Sequence, residues 1–174
     1  MAKPPPPITY PTFGDSGNPW LISSNSPVRI EVENFDIGGE GVAYHDTDAG
    51  NNGGQYRAAD AVDIESTTDI GGGYDVGWIA NGEWLTYTVR VEAPGTYTLR
   101  IRVARQSTGS GSARVLFGGM DKTGTLGITS TGGWQTWTTI VKPGITLSAG
   151  TQIMRIEMLS DAFNVNWIEL SPEP

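Results

Sequence analysis

The chain has 174 residues, the length of one domain at ~100–200 residues per domain, which excludes a large two-domain enzyme. Its formal charge of −8 opposes condensation onto a phosphate backbone or an anionic membrane surface, so neither nucleic acid nor membrane is an expected partner. With no cysteine and one histidine, His45, it cannot form disulfides, thiolate nucleophiles, thiolate zinc sites or multi-histidine zinc sites.

The start of the chain, Lys3-Pro4-Pro5-Pro6-Pro7, favours a stiff polyproline conformation and reads as the end of an interdomain linker, residues 1–7. No signal peptide is evident, so a secreted origin requires a signal already removed or carried on a longer parent. Residues 8–27 read as an irregular extension packed along the domain proper, residues 28–171. Within that extension Gly14-Asp15-Ser16-Gly17 matches the string around a serine-protease nucleophile. Such a nucleophile needs a histidine and a buried carboxylate held by a two-barrel fold, for which this chain is too short.

From Val28 the apolar period becomes two, the spacing of a half-buried strand. Ile30 and Val32 are expected to face a core, leaving Glu31 and Glu33 on the other face, roughly 6.6–7 Å apart. Two carboxylates that close require a positive charge between them if both are to ionise cheaply. They could clip a hard cation such as calcium, act as a glycosidase pair, or form a solvated face. The polar loop 45–54 offers Asp46, Asp48 and Asn51 as oxygens for a second calcium, or folds on its own backbone as a solvated loop.

Further along, Leu85, Tyr87, Val89 and Val91 alternate inward, Ala93-Pro94-Gly95 turns, and Tyr97, Leu99, Ile101 and Val103 alternate inward again: a hairpin pattern. Additional strands are expected at 74–80, 112–118, 135–141, 151–159 and 163–170, with no capped helical stripe. Many short strands without helices predict an all-β, antiparallel β-sandwich or jelly roll.

Trp84, Trp137 and Trp167 sit inside strand-like runs, where core is the ordinary reading, for Trp167 above all. Trp78 follows Gly71-Gly72-Gly73-Tyr74-Asp75-Val76-Gly77 and Trp134 follows Ser130-Thr131-Gly132-Gly133, so both large rings stand beside turn-forming glycines. Either they edge the core or they meet a ligand with flat apolar faces and a polar rim, as a sugar ring has.

The ordered set Ile30-Glu31-Val32-Glu33-Asn34-Phe35, Asp69-Ile70-Gly71-Gly72-Gly73-Tyr74-Asp75-Val76-Gly77-Trp78-Ile79, Gly82-Glu83-Trp84-Leu85-Thr86-Tyr87, Ser130-Thr131-Gly132-Gly133-Trp134-Gln135 and Phe163-Asn164-Val165-Asn166-Trp167-Ile168-Glu169-Leu170 resembles the family 6 carbohydrate-binding modules. These are noncatalytic jelly-roll domains of secreted bacterial polysaccharidases. The resemblance implies a sugar held by Trp78 and Trp134, a floor amide at Asn164 and an acidic contact at Glu65. It also implies a possible second glycan site on the concave sheet face at Trp84. A structural calcium is implied at Glu31 and Glu33, with Asn166 in place of the usual C-terminal aspartate.

The stretch 38–61, with Tyr44, His45, Tyr56 and Arg57, is longer than in compact members, and is expected to wall one end of the loop site. The expectation is therefore a secreted, monomeric module that binds neutral polysaccharide, β-1,3-glucan first, and targets a covalently linked catalytic domain. Agarose, xylan and β-1,4-glucan are the alternative ligands. A small glycosidase using Glu65 with Asp69 or Glu83, and a glycan-free adhesion sandwich, are the rivals from other classes.

Overall fold

A computed structural model of the chain describes residues 17–174. The linker 1–7, the first half of the 8–27 extension and the serine of the protease-like string lie outside them. Two sheets stack face to face. The first runs β1 (Trp20–Ile22), β6 (Trp84–Val91), β12 (Gly150–Met158), β8 (Ser110–Phe117), β10 (Leu126–Thr129), with β3 (Tyr44–His45) also beside β6 and β9 (Met120–Asp121) beside β8. The second runs β11 (Gly133–Leu147), β7 (Gly95–Arg105), β13 (Asn164–Pro172), β5 (Tyr74–Val76), β4 (Ile64–Ser66), with β2 (Val28–Glu31) also on β13. The ladders are antiparallel except β1 with β6. The molecule is the all-β sandwich that the alternation predicts, and β1 gives the end of the extension a place in it.

The core is the layer between the sheets. Leu85, Tyr87, Val89 and Val91 of β6 and Tyr97, Leu99, Ile101 and Val103 of β7 all point into it and are buried. Each buried tyrosine keeps a partner for its hydroxyl: Tyr87 donates to Val32 O at 2.8 Å and Tyr97 to Ala93 O at 2.8 Å.

The expected hairpin is corrected here. β6 pairs with β12 and β7 with β11 and β13, so Ala93-Pro94 carries the chain from one sheet to the other. Two runs with the same inward apolar set bury more by facing each other across the core than by lying side by side, and Pro94 has no N–H to start a ladder.

Glu31 and Glu33 do not share a strand face. β2 ends at Glu31, and Val32–Asn34 forms a 3-10 turn whose Val32 is buried. Trp167 is buried at 8% exposure, but on the outer side of its sheet, with the Arg29 guanidinium 4.0 Å from its ring centre rather than within the intersheet cluster. β3, β4, β9 and β10 were not expected from the sequence; each is four residues or fewer, too short for a period to register.

Candidate binding cleft

Loops at one end of the sandwich enclose a cleft of about 550 Å³ lined by Glu65, Trp78, Ile79, Ala80, Trp134, Gln135, Asp161, Ala162, Phe163 and Asn164. All four residues assigned to the loop site by sequence therefore meet in one place. Trp78 and Trp134 remain 53% and 39% exposed, a large apolar area for a domain with a well-filled core. Trp78 has φ of 48°, a left-handed conformation costly for an aromatic residue, and its neighbour in the cleft Ala162 has φ of 64°. Such strain marks positions held by their surroundings. Ala162 N donates to Ile79 O at 2.9 Å and Asn81 N to Asp161 Oδ1 at 2.6 Å, which ties the 161–163 loop to the Trp78 loop.

Arg105, at the end of β7, joins this loop to the one carrying Trp134. Its Nη1 donates to Asp161 O at 2.7 Å and Ala162 O at 2.6 Å, while its backbone exchanges hydrogen bonds of 2.8 Å with Thr131. One residue thus spaces both sides of the cleft, its guanidinium holding the 161–162 carbonyls and its backbone holding Thr131.

Beneath the rings lies a polar floor. Asn164 Nδ2 donates to Glu65 Oε1 at 3.0 Å, Asp75 Oδ2 at 3.1 Å and Trp134 O at 3.2 Å. Gln135 Nε2 donates to the same two carboxylates, at 3.0 Å to Glu65 and 2.9 Å to Asp75. Its Oε1 accepts from Thr67 Oγ1, Thr68 N and Trp137 Nε1. Asp75 is fully buried, and burial is the main cause that pushes its carboxyl up to about 7, with the charge of Glu65 adding and the Gln135 and Asn164 amides opposing. Gly77 has no Cβ to crowd the Asn164 amide; one built there would lie 3.4 Å from it.

A second cluster lies at the 3-10 turn. Glu33 Oε2 and Asn166 Oδ1 are both buried with no hydrogen-bond partner among the described residues. Burial pushes Glu33 up to about 8, and the charges of Glu31 and Asp75 add to that; Glu31 is also raised by burial, with Arg29 opposing. Two orphaned oxygens beside two strained carboxylates are a donor set that a hard cation satisfies. Asn166 Nδ2 is turned away from its own oxygen's site by Asp69, which Arg102 holds at 2.7 and 2.8 Å.

The profile of the carbohydrate binding module, family 6, matches residues 52–172. The chain belongs to that family. A family 6 module from Cellvibrio mixtus lichenase 5A, solved with cellotriose, is 33% identical, with a TM-score of 0.65 over 84% of this chain and 98% of that one. A β-1,3-glucan-binding family 6 module from Bacillus halodurans is 26% identical, with a TM-score of 0.61 over 87% and 97%. The clotting factor G alpha subunit of Tachypleus tridentatus is 33% identical over 120 residues, 68% of this chain. This chain spans only 18% of that protein's length.

Besides the corrections to the fold, this module departs from its sequence reading at the 38–61 insert. None of residues 38–61 lines the cleft. Instead Arg57 binds Phe35 O and Asp36 O and stacks on the Phe35 ring, Tyr56 stacks on Tyr74 at 5.0 Å, and β3 extends the first sheet beside Trp84. Arg57 and Tyr56 thus anchor the insert on Phe35, Asp36 and Tyr74, beside the 3-10 turn rather than at the cleft.

In the 45–54 loop, Asp46 and Asp48 converge with Asp63, ligand atoms within 4.8 Å of one another. Asn51 Oδ1 accepts from Gly54 N and Ile64 N, closing the loop on its own backbone. Trp84 does lie on the exposed side of its sheet, but Arg155 sits 4.1 Å over its ring. Of the cleft residues that sequence reasoning missed, Gln135 was visible only as a neighbour of Trp134 and Asp161 carried no local signal; Asp75, beneath the floor, stood in a quoted motif but was given no role.

Proposed function

We propose that this module binds neutral β-glucan, β-1,3-glucan first, in the loop cleft, without transforming it, and concentrates a linked catalytic domain of a secreted protein on its substrate. The observation that carries this is the pair of exposed indoles over a prearranged polar floor. Pyranose C–H faces gain from lying on an indole, while Asn164, Glu65 and Asp161 offer oxygens to the ring's hydroxyls. The cellotriose complex of the Cellvibrio module and the β-1,3-glucan binding of the Bacillus module support the ligand class. The alternative carboxylate pairs for a glycosidase find no support: neither Asp69 nor Glu83 lines the cleft with Glu65.

Calcium belongs to the same proposal. Glu31, Glu33 and Asn166 would hold it at the 3-10 turn, where its charge would compensate the buried carboxylates and its coordination would use the orphaned Glu33 and Asn166 oxygens.

Affinity electrophoresis in laminarin gels tests the site. Trp134→Ala and Trp78→Ala should each lose retardation, by ~1–3 kcal/mol on the scale of aromatic stacking of a planar ring, with melting temperature nearly unchanged because both rings are half exposed. Retardation equal to wild type in both variants would place the glycan elsewhere.

A further inference from the structure

The direction in which the floor amides point decides what kind of hydrogen-bonding group the cleft can read. Asn164 Nδ2 is surrounded by three acceptors from three elements, Glu65 of β4, Asp75 of β5 and the backbone of Trp134 in β11. Gln135 Nε2 spends its protons on the same two carboxylates. Both amides are therefore fixed with their N–H groups committed inside the protein. Asn164, Glu65 and Asp161 all line the cleft, and Asn164 Oδ1, Glu65 Oε2 and Asp161 Oδ2 accept no hydrogen bond among the described residues. The only charged side chains lining the cleft, Glu65 and Asp161, are both acidic, and no Lys, Arg or His lines it.

A site whose side-chain polar groups, the two indole N–H groups apart, are acceptors needs donors on its ligand. A hydroxyl supplies one and an ammonium three, and the ammonium gains from the two carboxylates as well. A uronate carboxylate supplies none and is repelled.

We propose that the cleft is an acceptor-lined, donor-reading site that also takes β-linked amino sugars, units of the glucosamine type carrying a protonated amine, and that Asp75 and Gln135 are the positioning residues that set this polarity by turning the Asn164 oxygen toward the ligand. The inference rests on the loop cleft being the glycan site, and extends its ligand class from neutral to cationic glycans.

The test is isothermal titration of the wild-type protein with cellotetraose, laminaritetraose and the β-1,4 glucosamine tetramer. It is run at pH about 7.5, above the value of about 7 at which Asp75 gives up its proton and below the ~7.7–8.0 of an α-amino group, the nearest reference amine. The glucosamine tetramer should bind about two- to fivefold more tightly than cellotetraose, as expected for a partly exposed ion pair, and this advantage should vanish in high salt. Asp75→Asn adds a third amide, itself able to donate, beside Asn164 and Gln135, which frees Asn164 to turn over. It should bring the ratio of the two dissociation constants toward one, a ratio that general loss of stability does not move. Binding of the neutral oligosaccharides without the glucosamine tetramer overturns this inference and leaves the proposed function standing. Binding of none of the three overturns both. An Asp75→Asn protein with the wild-type ratio removes Asp75 from the positioning role.

Discussion

Asp75 shows how much one side chain beneath the cleft can control. Its carboxyl holds a proton to about 7 in the folded protein against an ordinary value of 3.8, and burial is the main reason. Between those two values the folded state keeps a proton that the unfolded chain has released, so stability falls as pH rises through that window and levels off above it. The wild type should therefore lose melting temperature relative to Asp75→Asn between pH ~4.5 and ~7.5. Parallel melting curves for the two proteins would show that Asp75 carries no such proton. Trp78 and Trp134 were legible in the sequence because glycines flank them and because their motifs resemble a family. Gln135 and Asp75 were not, because their partners lie 60 to 70 residues away in the chain and meet only through β4, β5 and β11.

At the scale of elements, the cleft is built from residues of β4, β11 and β13 together with the 78–80 and 161–163 loops. Arg105 is the cross-brace, and Arg105→Met should cost about 1.5–3 kcal/mol in urea unfolding, the usual worth of hydrogen bonds to a charged group. Glycan affinity should fall with it, since the 161–162 carbonyls lose their tie to β7 while the backbone bonds to Thr131 remain. An affinity unchanged in a destabilised variant would mean that the loops hold their spacing without it.

The turn after β2 makes a second expectation. If calcium fills the Glu33 and Asn166 oxygens, a chelator should lower the melting temperature of protein shown to contain the metal. A ligand present at 100 times its dissociation constant contributes about 2.7 kcal/mol by mass action. Glu33→Gln should respond weakly to the same treatment. Equal responses in the two proteins would move the metal to another place, such as the Asp46, Asp48 and Asp63 cluster.

For the whole molecule, the −8 charge and an acidic cleft work in the same direction. Polyuronates should fail to retard the protein in low-salt gels in which neutral β-glucan does, and retardation by alginate would contradict the charge argument. What the sequence alone determined is the sandwich, through apolar alternation that only two packed sheets can bury, and the two tryptophans, through the glycines beside them. Glu31, Glu33 and Asn166 were grouped by the family resemblance, and the strand face expected for the two glutamates was not formed. Only the tertiary structure decided that β6 and β7 face each other across the core instead of pairing, that the 38–61 insert anchors away from the cleft, and that the Asn164 amide commits its N–H groups inward and leaves its oxygen free. Those outcomes depend on contacts between residues far apart in the chain. Periodicity reports which side of an element is apolar, but not which distant partner it meets or which way a buried amide turns.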